Sequence, residues 1–123
     1  MASDDMSYED ILMIRVSPPI PLSEPVLLIL LSLSERPRHG YSILKDVEDV
    51  SDGRVVLSTG TLYGALRRLL ESGWIERFAE DDAARDRHAY HLTAEGRRLL
   101  QTEIARMKAL TRLANSRLAQ ERT

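Results

Sequence analysis

Residues 58–68 of this 123-residue chain carry three hydroxyl side chains, a tyrosine and two adjacent arginines. These types bind oxyanions. Hydroxyls and the free N–H groups of a helix start hydrogen-bond a phosphate. A guanidinium fork grips a phosphate, or the O6 and N7 atoms of guanine, with two bonds at once. By that chemistry Arg67 suits base readout and Arg68 suits a phosphate contact. Ser58, Thr59 and Thr61 suit a phosphate, while Tyr63 either reaches one through its hydroxyl or packs against a neighbouring helix. Each has a plainer reading: Ser58 as a helix cap needs no ligand, and Arg67 and Arg68 as a solvated face need none.

Catalytic readings find little support. A serine triad of Ser58, His88 and Asp86 would need nucleophile and base brought together, and no spacing here requires that. His88 and His91, three residues apart, fall on opposite faces of a strand and lack a third ligand of suitable type nearby, so no zinc site is read. The chain has no cysteine, which removes disulfides, thiolate metal sites and thiol nucleophiles together. There is no phosphate loop, dinucleotide fingerprint or paired-carboxylate signature. No enzyme and no cofactor are expected.

The oxyanion-binding residues need a rigid element to aim them. Ser58 caps a helix over about 59–72, ended by Gly73. On it Leu62, Ala65, Leu66 and Leu69 share one face, while Gly60, Gly64 and Arg67 lie opposite, flanked by Tyr63 and Arg68. Glycine costs about 1 kcal/mol relative to alanine inside a helix, so two on an outer face imply close approach to the backbone there. Upstream, Ser23 caps a helix that opens with Glu24 and Pro25. Its Val26–Leu33 run is apolar nearly all round, which predicts a buried helix stopped by Arg36-Pro37-Arg38. A second helix runs from about His39 to Val50, with His39 at its start and Tyr41, Leu44 and Val47 on its inner face. Val55-Val56-Leu57 is a short β-prone run.

Downstream, Trp74–Ala79 and His88–Leu92 read as the strands of a hairpin around a polar loop. That loop sets Arg85 and Arg87 among Glu80, Asp81, Asp82 and Asp86. Thr93 caps a final helix reaching Ala119. Its residues Leu100, Ile104, Met107, Leu110, Ala114 and Leu118 stay within about 120° of arc, a stripe too long for a small domain to cover, which points to a partner helix. Residues 1–21 read as an extension: Ser17-Pro18-Pro19-Ile20-Pro21 cannot be helical throughout, and Tyr8–Val16 could form a short helix before it. The fold class is therefore mainly α (α+β), a winged helix-turn-helix over 22–92 followed by a long C-terminal dimerisation helix over 93–119. In that arrangement the third helix enters the major groove and the hairpin follows the backbone.

Composition is 43% hydrophobic and 29% charged, ordinary for one folded domain. The net charge of −2 hides an asymmetry: residues 1–53 hold 4 basic and 10 acidic groups, residues 54–123 hold 13 and 9. A polyanion-binding surface in an otherwise acidic protein has that form, and so do solvated helix faces. The longest apolar run, Val26–Leu31, is far short of the roughly 20 residues of a membrane span. The acidic start, with Asp4, Asp5, Glu9 and Asp10, does not read as a secretory signal. A cytoplasmic protein without membrane contact is expected.

The motif series His39-Gly40-Tyr41, Leu57-Ser58, Gly60-Thr61-Leu62-Tyr63, Leu69 and Gly73-Trp74-Ile75 resembles the PadR family of transcriptional regulators. Arg87, Tyr90, Leu92-Thr93 and Gly96-Arg97-Arg98-Leu99-Leu100 continue the resemblance in the same order and spacing, over about residues 22–118. It implies a winged-helix homodimer that represses genes from a palindromic DNA operator and is often released by a small hydrophobic or aromatic molecule. It also implies that Ser58, Thr61 and Tyr63 open the recognition helix, and that Arg87 is the basic residue of the second wing strand. Position 64 is glycine where many members carry something larger or basic, and the acidic wing is unlike a loop that lies on phosphates. A winged-helix module that binds a protein instead of DNA is the alternative reading.

Overall fold

A computed structural model describes residues 22–78 and 88–121. The chain forms α1 (Glu24–Glu35), β1 (Arg38–His39), α2 (Gly40–Val50), α3 (Thr59–Glu71), β2 (Ile75–Phe78), β3 (Ala89–Leu92) and α4 (Ala94–Glu121). The first three helices surround one core of Ile29, Leu30, Leu33, Ile43, Val47, Leu62 and Leu66, closed by Ile75 of the sheet and Leu99 of α4. The three strands are antiparallel in the order β1-β3-β2, with Arg77 opposite Tyr90 and Arg38 also paired to Tyr90 from the other side.

Local chemistry sets the boundaries. Ser23 caps α1, its hydroxyl oxygen accepting the Val26 N–H at 3.4 Å, and proline stands in the first turn, where its missing donor is not needed. At the end of α3, Trp74 N donates to the Leu69 carbonyl and Gly73 N to the Leu70 carbonyl. This double closure requires a left-handed residue, supplied by Gly73 at φ +79°. The same corner aims α4: Thr93 donates its hydroxyl to the Gly73 carbonyl at 2.8 Å and accepts the Gly96 N–H at 3.0 Å. A Cβ at Gly96 would lie 2.1 Å from the Trp74 carbonyl oxygen, so only glycine lets the helix start so close to the turn.

Four sequence expectations are corrected. The β-prone Val55–Leu57 is not a strand; the third strand is Arg38–His39, where the sequence reading has the stop of one helix and the start of the next. Its strand character comes from pairing to β3, which local propensity does not report. Second, Tyr41 is 71% exposed, and the inner face of α2 is Ile43 and Val47, because the buried line of the helix runs through Gly40, Ile43 and Val47 and turns Tyr41 away from the core. Third, α1 is not buried all round: Leu31 reaches the surface. Fourth, Leu100, read as part of the stripe for a partner, is 4% exposed and belongs to the domain's own core. The extension 1–21, with its short-helix reading, lies outside the described residues.

Arg38 is a buried charge of the fold at 6% exposure. Its Nε donates to the Ser32 carbonyl at 3.0 Å and its Nη1 to Ser42 Oγ at 3.2 Å. Its Nη2 meets Glu35 and lies 3.6 Å from Asp46 Oδ2. The guanidinium thus ties the end of α1 to α2, with acceptors for the donors it takes out of water.

Candidate nucleic-acid interface

The site is built on α3. Ser58 stands before it in extended geometry, accepting the Thr61 N–H at 3.1 Å and donating to Thr61 Oγ1 at 2.9 Å. Cap and hydroxyl are thereby one unit, exposed together with Thr59 and Gly60. The amides of Thr59 and Gly60, in the first turn, have no intrahelical acceptor. Leu62, Ala65, Leu66 and Leu69 are all buried, as helical periodicity requires.

The opposite face is bare. A Cβ at Gly60 would meet nothing within 4 Å, and at Gly64 only Arg68 Nη1 at 3.8 Å. Arg67 and Arg68 are exposed beside this smooth ridge. Tyr63 serves packing and surface at once: its ring lies over Gly40, where a Cβ would stand 2.3 Å from the phenol oxygen, yet it remains 44% exposed. His39, read as structural, precedes α2 without making a side-chain cap bond.

Between α3 and the hairpin lies a cleft of about 210 Å³ lined by Tyr63, Leu66, Arg67, Leu70, Arg77 and Tyr90. Arg77 was not singled out from sequence. Its signal was present, a basic residue on the exposed side of a wing strand, but the partner across the cleft is set by strand register. Arg85 and Arg87, the basic wing candidates, lie outside the described residues. Among the described residues, no group of three or more acidic or histidine side chains is placed to hold a metal ion.

Other bases are engaged elsewhere. Arg54 bonds Glu24 at 3.0 Å on the surface, and that hydrogen bond holds the Glu24 carboxyl below its ordinary value. In α4, Arg106 grips Glu103 with two bonds of 3.0 and 3.1 Å, and the Leu22 N–H adds a third at 2.8 Å. Glu103 is 1% exposed. The Arg106 bonds hold its carboxyl below the ordinary value against the opposing effect of burial, and Leu22 lowers it further.

The stripe on α4 emerges from the core along its length. Ile104 packs against the core and Met107 is half-buried. Leu110, Ala114 and Leu118 are exposed, as is Leu113, which the stripe did not include.

Three helices, a two-stranded wing and a long terminal helix define a winged helix-turn-helix regulator. Residues 29–102 match the transcriptional regulator PadR-like family, and the chain belongs to that family, whose members are regulators and not enzymes. A PadR family transcription regulator from Clostridium difficile superposes with a TM-score of 0.65 at 24% identity, over 78% of this chain and 99% of that one. A PadR family transcriptional regulator from Eggerthella lenta superposes at 0.57 with 28% identity over 96% of both chains. A transcriptional regulator from Clostridium thermocellum gives 0.62 with 27% identity, over 74% of this chain and 89% of its own. Among curated proteins, an uncharacterised 37.1 kDa protein in transposon TN4556 of Streptomyces fradiae is 38% identical over 85 residues. The match takes in 69% of this chain and 23% of that relative's length. No helix among the described residues is long and apolar enough to cross a membrane.

Proposed function

We propose that this chain is a DNA-binding transcriptional repressor, acting as a homodimer on a palindromic operator and released by a small hydrophobic or aromatic effector. The observation that carries the reading is the sidedness of α3, with its leucines buried and Gly60, Gly64, Arg67 and Arg68 outward. That ridge enters the major groove. Arg67 reads guanine. Arg68 grips a phosphate, and another is held at the helix start by Ser58, Thr59 and Thr61. Tyr63 adds a phosphate contact without leaving Gly40. Arg85 and Arg87 follow the backbone from the wing. Met107, Leu110, Ala114 and Leu118 pair two α4 helices, with Ile104 at the base of the contact. The effector acts by binding unequally to DNA-competent and incompetent dimers. The protein works in the cytoplasm.

Fluorescence anisotropy with duplexes from around its own gene tests the reading. Binding to one segment is expected in the nanomolar range, weakening steeply with added salt as phosphate counterions are displaced. Equal binding to every duplex, or no binding at any salt concentration, would refute it and leave a winged module with a protein partner.

A further inference from the structure

Gly40 is the buried first residue of α2. Glycine weakens a helix, so its place there needs a cause. Backbone conformation is not that cause: Gly53 and Gly73 have positive φ and Gly40 does not. A neighbouring side chain is. A Cβ at Gly40 would overlap the Tyr63 phenol oxygen and stand 2.9 Å from Cζ and 3.5 Å from Cε1. The tip of the α3 tyrosine thus fills the space that any other residue at position 40 would claim.

The contact joins two parts of the site. His39, just ahead of Gly40, pairs with Ala89 of β3, and β3 pairs with β2 to make the wing. Gly40 is therefore tied to the strand ladder of the wing. Tyr63 precedes Arg67 by about one helical turn and lines the cleft that holds Arg67 and Arg77. On its other side the ring borders a cavity of about 310 Å³, shared with His39, Tyr41 and His88. With open volume on both sides, the seat at Gly40 sets where the ring stands.

We propose that Gly40 is a positioning residue for DNA recognition: it seats the Tyr63 ring so that α3 and the wing present Arg67 and Arg77 to one duplex at a fixed relative angle. The inference rests on the DNA-binding reading and adds to it a buried residue outside the recognition helix. A methyl group at position 40 displaces the ring, and the turn of α3 that carries Tyr63 and Arg67 shifts with it. Leu62, Ala65, Leu66 and Leu69 still hold α3 on the core. The fold survives the change and the aim does not.

A mutant cycle between positions 40 and 63 in the full chain tests this, read by anisotropy on the operator and its single base-pair variants, with circular dichroism to follow the fold. Gly40→Ala is expected to stay folded, to bind the operator about tenfold more weakly, the scale of one overpacked contact, and to lose preference at the guanine that Arg67 reads. Tyr63→Ala also weakens binding, but adding Gly40→Ala to it is expected to change nothing further, because the atoms a methyl group would strike are gone. Tyr63→Phe, which removes only the phenol oxygen, is expected to restore part of the base preference that Gly40→Ala loses. Wild-type affinity and preference in Gly40→Ala would overturn the inference, as would the same loss with and without the Tyr63 ring. Should Gly40→Ala fail to fold, Tyr63→Ala with and without it decides, and a further loss of base preference there overturns the inference. An additive cycle in a chain that reads its operator sinks the role of Gly40 alone, whereas a wild type that binds no DNA sinks the DNA-binding reading with it.

Discussion

Arg67 and Gly64 stand one turn apart on the same exposed face, and their value depends on what lies outside the helix. Gly64 has room for a methyl group, with only Arg68 Nη1 nearby at 3.8 Å. Gly64→Ala should therefore stabilise the fold by up to about 1 kcal/mol, seen as a rise of a few degrees in a thermal melt, while weakening DNA binding. A lower melting temperature would show that this face is already occupied. Gly96→Ala should do the reverse, since its Cβ meets the Trp74 carbonyl oxygen at 2.1 Å. A loss of about 1–3 kcal/mol is expected from such overpacking, read by urea denaturation. The two faces of α3 were legible because caps and a 3.6-residue period are local signals. Tyr41, Arg38 and Arg77 were not, since their exposure or partners depend on where β1 and β3 pair and where α2 begins.

Elements were legible in proportion to how locally they are determined. Ser23, Ser58 and Thr93 each mark a helix start with a side-chain oxygen, and all three make that bond. The strand Arg38–His39 owes its existence to β3, about 50 residues away in sequence, and no local pattern announces it. Another distant contact ties the first third of α4 to the chain ahead of α1, the Leu22 N–H on Glu103, a carboxylate that Arg106 also holds from the next turn. Folding lowers the Glu103 carboxyl below its ordinary 4.5. Its ionised form is thus favoured in the folded chain, and the stability it contributes is complete above about pH 4.5 and lost as pH falls further through the folded value. Thermal melts between pH 6 and 3 should show that loss. Glu103→Gln should remove this component of the acid sensitivity and cost about 1–3 kcal/mol at neutral pH, where Arg106 and Leu22 lose their acceptor charge. A variant with unchanged neutral stability and unchanged acid sensitivity would count against the contact.

At the scale of the molecule, one domain presents the bare face of α3 and sends a 28-residue helix past its core, about 42 Å long. Met107→Asp with Leu110→Asp should give a monomer by gel filtration and abolish operator binding with it, because a palindrome is read by two copies at fixed spacing. A dimeric double variant would place the interface elsewhere. The central claim remains the groove-facing ridge of α3. Its most direct measurement is the affinity of wild type and Arg67→Ala for the footprinted operator and a set of single base-pair variants, by anisotropy at fixed salt. The account predicts that Arg67→Ala loses about 1–3 kcal/mol of discrimination at one guanine per half-site and keeps the rest. An unchanged preference at every base pair, with affinity intact, would contradict it.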